Sequence, residues 1–310
     1  MGLSAGDAAT DSIVPGRADE ARPGVFLTDA SLVFVAIIWG VNFSIVKYGT
    51  TLIDPLAYNG VRVLLAAVLL MIIALATRSR FPNRREIVAL FTLGILGNGV
   101  YQFFFVEGVA RTRASDAGLV IAATPALIAI VGRMLGVERV HKRGVMGIVL
   151  SIGGIAFVIL GTHNANAGDA SIWGDLLVLI GSVCWAFYTV LLKPYTEHLS
   201  GLHVSAFTML GGAASLLLVA WPRIATTSWT ALPMKGWSAI VYSGVFALVI
   251  AYLFWYRGVR IIGPTRTAMY SNLQPVVAVL MAWWLLGETP TWFQGVGTGC
   301  ILGGLLLTRT

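Results

Sequence analysis

Residues 104–125 read FFVEGVARTRASDAGLVIAATP, and residues 254–275 read FWYRGVRIIGPTRTAMYSNLQP. Laid over each other at an offset of 150, they share Phe104/Phe254, Gly108/Gly258, Val109/Val259 and Pro125/Pro275. The register continues without a gap through Glu138/Glu288, Gly147/Gly297 and the doublets Gly153-Gly154/Gly303-Gly304. Gly and Pro are common in membrane helices, but a proline, a glutamate and a spaced glycine set in one register mark an internal duplication. Nearer the N-terminus the match moves to an offset of 146, through Trp39/Trp185 and Lys47/Lys193.

Hydrophobic residues make up 57% of the chain and charged residues 11%, with mean hydropathy +0.82; a soluble domain carries about 25% charged residues. The chain is therefore read as an integral membrane protein whose partner is the lipid bilayer. Its formal charge of +7 does not imply nucleic acid, because the basic residues lie in short stretches between apolar segments. Cys184 and Cys300 fall inside such segments with no Cys or His at ligand spacing, so neither a metal nor a cofactor is expected. Residues 1–27 mix Asp7, Asp11, Arg17, Asp19, Glu20 and Arg22 with small residues and lack the apolar core of a signal peptide. They read as a flexible cytoplasmic tail.

A bilayer core takes about 20 apolar residues in a helix. Segments near 30–47, 55–77, 86–109, 115–135 and 144–161 form a first repeat over 28–162, and segments near 171–192, 202–221, 237–257, 265–286 and 292–308 form a second over 170–310. The fold class is all-α integral membrane, with ten transmembrane helices. Because five is odd, the second copy must enter the membrane from the opposite side, which makes an inverted repeat. Fifteen of the 21 basic residues, including Arg78, Arg80, Arg84, Arg85, Arg139, Lys142, Arg143, Arg257, Arg260 and Arg266, lie on the side of the N-terminus. Lys47, Arg111, Arg113, Arg223 and Lys235 lie on the other, so both termini are expected in the cytoplasm.

No carboxylate pair, Ser/His/Asp grouping or phosphate loop appears in the apolar segments, so no catalytic residues are expected. The stretch Gly94-x-x-Gly97-Asn98-Gly99 lacks a following Lys-Ser/Thr and reads as a site of bending or close packing. A Pro-interrupted segment at matching positions in both halves is a pointer to a transport site, and Pro125 and Pro275 meet that description as helix breaks with a gating role. Simple kinks packed against a neighbour are the alternative. Beside the second lie Tyr270, Ser271, Asn272 and Gln274, polar groups that lipid does not tolerate without a partner. Their counterparts, Val120 to Thr124, are mostly apolar, so the second copy is expected to carry most of the specificity.

Other segments supply candidates at helical spacing: Trp39, Asn42 and Phe43 on the first, Trp185 and Tyr188 on the sixth, and Asn98, Tyr101, Gln102 and Phe105 on the third. Plain packing accounts for any one of them; convergence from both copies favours a substrate-binding cavity. Arg62, roughly 12 Å along its helix from Asp54, is read as structural. Glu107, four residues before Arg111, and Asp116 in a first helical turn are structural or carry a coupling proton. Gly295, Gly299 and Gly303 form a small-residue face, read as a packing seam or a homodimer contact.

The stretches Trp39-Gly40-Val41-Asn42-Phe43, Asn59-Gly60-Val61-Arg62, and Pro275 through Leu286-Gly287-Glu288 to Gly295 and Gly303-Gly304 resemble the drug/metabolite transporter superfamily in its EamA-type branch of paired five-helix domains. The likeness extends over the chain after the tail and is nearest to the YddG-type exporters of aromatic amino acids. It implies a basket with a central cavity lined by helices 1, 3, 4, 6, 8 and 9, working by alternating access in a bacterial-type inner (plasma) membrane. It places Trp39, Tyr101, Trp185, Tyr188, Tyr270, Asn272 and Gln274 on cavity helices. An uncharged cavity of aromatics and amides suits an amino acid or other neutral metabolite better than a phosphorylated solute. The rivals are a carrier for another neutral metabolite or an amphipathic drug and, outside transport, an intramembrane enzyme or a scaffold. The chain's departure from the family pattern at Glu107, Arg111 and Arg113 leaves its outer vestibule open.

Overall fold

The computed structural model describes residues 23–77, 79–137, 142–165, 171–262, 267 and 270–309, and contains no strand among them. Residues 1–22 of the expected tail, and Glu138 of the repeat register, lie outside the described residues. The helices are α1 (Pro23–Leu52), α2 (Pro55–Ala76), α3 (Arg84–Arg111), α4 (Ala114–Met134), α5 (Lys142–Ala165), α6 (Ile172–Thr196) and α7 (Gly201–Thr226), followed by α8, α9 and α10. α8 runs through Met234–Val241, Tyr242–Ile250 and Ala251–Ile262; α9 is Ser271–Leu286 and α10 is Trp292–Arg309. Eight of the described helices are long and apolar enough to cross a membrane, and α9 is a shorter apolar helix.

Local chemistry sets the ends. The Asp54 carboxylate accepts from the Leu56 and Ala57 amides at 2.9 and 3.3 Å ahead of Pro55, which opens α2. Asn83 and Glu86 close a reciprocal capping box at the start of α3. Gly287, at φ +70°, ends α9 in the left-handed conformation that glycine adopts without strain. The first helix begins at Pro23, so part of the expected tail is already helical.

Four helices are irregular, in two matched pairs. α3 widens into a π-helical segment over Ile95–Val100, where the Tyr101 amide donates to the Leu96 carbonyl, and α8 does the same over Tyr242–Ile250, where the Ala251 amide donates to Phe246. α4 breaks at Ala123, and a new helical piece starts at Thr124-Pro125. In α9 a short 3-10 stretch, Ser271–Leu273, gives way to a helical piece starting at Gln274-Pro275. A proline fits the first turn of a helix because its missing N–H has no intrahelical partner there. Thus both prolines begin a helical piece.

The packing repeats when each helix is exchanged for the one five places on: α1 packs on α9 as α6 packs on α4, α3 on α6 as α8 on α1, and α2 on α8 as α7 on α3. α2 and α7 pair with each other, and so do α5 and α10. Both of these self-related pairs are antiparallel. Asp54 and Ser79 at the two ends of α2 meet Arg223 and His203 at the opposite ends of α7, at 3.7 and 3.2 Å. In the α5–α10 pair, Gly147 lies against Gly304 and Gly154 against Gly297. A Cβ at Gly154 would stand 2.9 Å from the Gly297 carbonyl, so the backbones touch there.

That seam corrects the expected one. Side chains added at Gly295 or Gly299 would meet nothing within 4 Å, and one at Gly303 only the tip of Leu150 at 3.7 Å. The close approach uses the face of Gly297 and Gly304 because the neighbouring helix presents its own glycine pair, Gly154 and Gly147, to that face. Large apolar side chains such as Ile72, Leu218 and Trp284 point outward, while Arg62, Asn59, Asn98 and Asp116 are fully buried, the inverse of a soluble domain.

Candidate functional site: a polar centre bordered by an aromatic belt

At the crossing of α2, α3 and α8 the Arg62 guanidinium is wholly buried. Its Nε donates to Asn59 Oδ1 at 3.0 Å, Nη1 to Ser243 Oγ at 2.8 Å and Nη2 to Gln102 Oε1 at 2.6 Å. The Ser243 hydroxyl donates to Asn42 Oδ1 on α1 at 2.6 Å, and Asn59 Nδ2 donates to the Gln102 carbonyl at 2.8 Å. Three helices therefore meet on one cation, with α1 joined to it through Ser243. Its carbon lies 5.8 Å from the Tyr58 ring centroid and 5.7 Å from that of Phe105, within cation–π range. The hydrogen-bond partners of Arg62 are all neutral, and none of the ion pairs among the described residues includes it.

Phe105 leads from this centre into a continuous run of rings. It meets Phe43 at 5.7 Å and stacks on Tyr101 at 5.8 Å; Tyr101 touches Trp185 at 5.0 Å, and Trp185 touches Tyr188 at 5.1 Å and Tyr252 at 6.5 Å. Tyr252 in turn meets Trp39 at 6.1 Å, and Trp39 meets Trp255 at 5.2 Å. Trp39 Nε1 donates to the Ala247 carbonyl at 2.9 Å, a group made available by the π segment of α8. π segments concentrate at functional sites because they free carbonyls and shift the side-chain register.

The structure thus brings together Trp39, Phe43, Tyr101, Phe105, Trp185 and Tyr188 in the belt and places Asn42 in the polar centre. Asn98 is set apart from Gln102. It is buried against Gly212 of α7, beside the Tyr188 hydroxyl, which donates to Thr208 Oγ1 at 3.2 Å. The stripe expected on α3 divides because Asn98 lies inside the π segment, whereas Tyr101, Gln102 and Phe105 follow it in regular α-helix. Gln274 is buried and Tyr270 and Asn272 are half-buried on α9, which packs on α1 where a Cβ at Gly40 would stand 3.0 Å from the Gln274 carbonyl. Pro275 is buried and Pro125 half-buried at their breaks.

Arg62 places a charge among the amides. Its hydrogen-bond partners Asn59 and Gln102 come from the first copy and Ser243 from the second. The i, i+3 spacing of Asn59 and Arg62 and the presence of Gln102 in the α3 stripe were legible signals; nothing in the sequence marked Ser243 or Tyr252.

At the end of the molecule where α1 finishes and α4 begins, a recess of about 340 Å³ is lined by Lys47, Tyr48, Thr51, Arg113, Leu286, Gly287, Glu288 and Thr289. Glu288 accepts from the Ala114 and Ser115 amides at 2.8 and 3.0 Å and from Ser115 Oγ at 2.6 Å. This is favourable for an anion at a helix N-terminus. Arg113 donates to the Thr289 carbonyl at 2.7 Å, and Gln294 donates to Ser115 and Asp116 at 3.0 and 2.8 Å. Asp175 on α6 accepts from Thr112 at 2.7 Å. The vestibule charges join the two copies, and Arg111 pairs with Glu107 along its own helix.

The centre offers a guanidinium, amides and ring faces. The chain matches the EamA-like transporter family over residues 26–160 and again over 172–310. It is 30% identical over 274 residues to YyaM of Bacillus subtilis (strain 168), described as an uncharacterized transporter, covering 87% of this chain and 90% of that one. It is likewise 30% identical over 278 residues to YedA of Escherichia coli (strain K12), an uncharacterized inner membrane transporter, covering 87% of each. A protein of known crystal structure superposes with a TM-score of 0.60 at 23% identity, over 91% of this chain and 98% of that one, a likeness of fold alone. The chain is a multi-pass integral membrane protein that belongs to the EamA-like transporter family and carries its domain twice.

Proposed function

We propose that the protein is a secondary transporter that exports amino acids, aromatic or other neutral ones, by alternating access. The observation that carries this reading is the belt of Phe43, Phe105, Tyr101, Trp185, Tyr252 and Trp39, drawn from both copies and bordering the buried amides. Ring faces with a few fixed polar groups suit an amphipathic solute of amino-acid size. Ten spans, α1 to α10, in two inverted five-helix repeats accommodate the antiparallel pairing of α2 with α7 and of α5 with α10. The broken helices α4 and α9 and the π segments of α3 and α8 supply paired points of bending, as alternating access requires of a repeat that rocks against its partner. Basic residues favour cytoplasmic termini, and the name of the Escherichia coli relative favours the inner membrane.

Uptake of radiolabelled L-phenylalanine or L-tryptophan by liposomes holding the purified protein tests the reading. Stimulation over empty liposomes is expected, with loss in Trp185→Ala and Trp39→Ala. Equal uptake with and without protein would refute it. A pH gradient across the same liposomes reads whether protons are coupled.

A further inference from the structure

We propose that Arg62 is the anchor for a carboxylate group of the transported solute, an assignment that rests on the transport reading above. A guanidinium has five N–H donors, and three are taken by Asn59, Ser243 and Gln102. One donor on each terminal nitrogen is left without an acceptor among the described residues, and two donors on adjacent nitrogens match the two oxygens of a carboxylate.

The charge balance points the same way. Burying an unpaired cation is expensive, and apolar side chains in place of the cation together with its polar partners would pack membrane helices at lower cost. Asn59, Ser243 and Gln102 orient the guanidinium without neutralising it, so its charge stays available to an incoming anion. Phe105 ties this charge to the belt: its ring lies 5.7 Å from the guanidinium carbon and stacks on Tyr101 at 5.8 Å. A solute with a ring against Tyr101 and Trp185 and a carboxylate one or two carbons away spans that interval. A single guanidinium suits a single negative charge, whereas phosphate esters call for several cations.

The test crosses two features of the solute. Binding of L-phenylalanine, phenethylamine, L-leucine and 3-methylbutylamine is followed through tryptophan fluorescence and thermal midpoint of the purified protein. Each acid is expected to bind at least about tenfold more tightly than its own amine, about 1.4 kcal/mol. Arg62→Gln, checked for folding by its own melting curve, should erase that difference while leaving the amines unchanged, and Arg62→Lys should restore part of it. Amines binding as tightly as acids, or a folded Arg62→Gln that keeps the preference, overturns the assignment and leaves an aromatic carrier standing. Neither acid binding also overturns it. Leucine binding as well as phenylalanine removes the aromatic preference but leaves the carboxylate anchor intact.

Discussion

Two crossings occupy equivalent places in the two copies, and their chemistry differs. Where α8 meets α2, Gly244 lies against the Arg62 backbone; where α3 meets α7, Gly94 lies against the Thr208 backbone. The glycines are 150 apart and the partners 146 apart, the same two offsets that relate the copies in sequence. Asn42 and Tyr188, also 146 apart, join the respective clusters. Duplication has therefore preserved the close backbone approach while the side chain became a cation in one copy and a hydroxyl in the other. The lesson is that both copies keep the backbone contact and only one carries a charge there.

Unequal substitutions at the equivalent crossings break or sharpen that contrast. Arg62→Met should reduce phenylalanine uptake to background and destabilise the protein by on the order of 3 kcal/mol, because Asn59, Ser243 and Gln102 lose a charged donor inside the membrane. Gly94→Ala should follow, lowering the thermal midpoint more than Gly244→Ala. A Cβ at Gly94 collides with the Thr208 backbone, whereas one at Gly244 stands 3.0 Å from the Arg62 carbonyl. Gly304→Val should open the α5–α10 seam and cost about 2 kcal/mol of stability through forced repacking, read as a lower thermal midpoint, with substrate preference unchanged. Thr208→Val removes a neutral hydrogen bond from Tyr188 and should cost about 1 kcal/mol, leaving uptake within a few-fold of the parent. Gly299→Ala, at a position with open space, should stay within about 0.5 kcal/mol. If Thr208→Val proves as damaging to uptake as Arg62→Met, the two crossings are functionally equivalent and the asymmetry is lost.

The seam shows why glycine spacing was only half a guide. The sequence offered two glycine faces on α10, and the repeat of four residues drew attention to Gly295, Gly299 and Gly303. The face that packs is Gly297 and Gly304, each set against the counterpart of the other, Gly154 and Gly147. Spacing identifies a face that permits close approach; only the neighbour determines which face is used.

The site divides in the same way. Helical spacing placed Trp39 with Phe43 and Tyr101 with Phe105, and each pair does sit on a face that joins the belt. Spacing failed for Asn98, because it lies inside a six-residue π segment, where the 3.6-residue period does not apply. Arg62 was visible as an intramembrane charge, but its role depended on what surrounds it.

Composition and register by themselves determined that the chain is a duplicated membrane protein, because apolar length and internal self-match need no knowledge of contacts. They also located the two proline breaks, since proline acts on its own backbone. Tertiary structure decided the rest: that Asn59, Gln102 and Ser243 converge on Arg62, with Asn42 held by Ser243, and that no ion pair among the described residues includes it. A buried charge takes its meaning from its partners, and partners on different helices are fixed by packing rather than by sequence spacing.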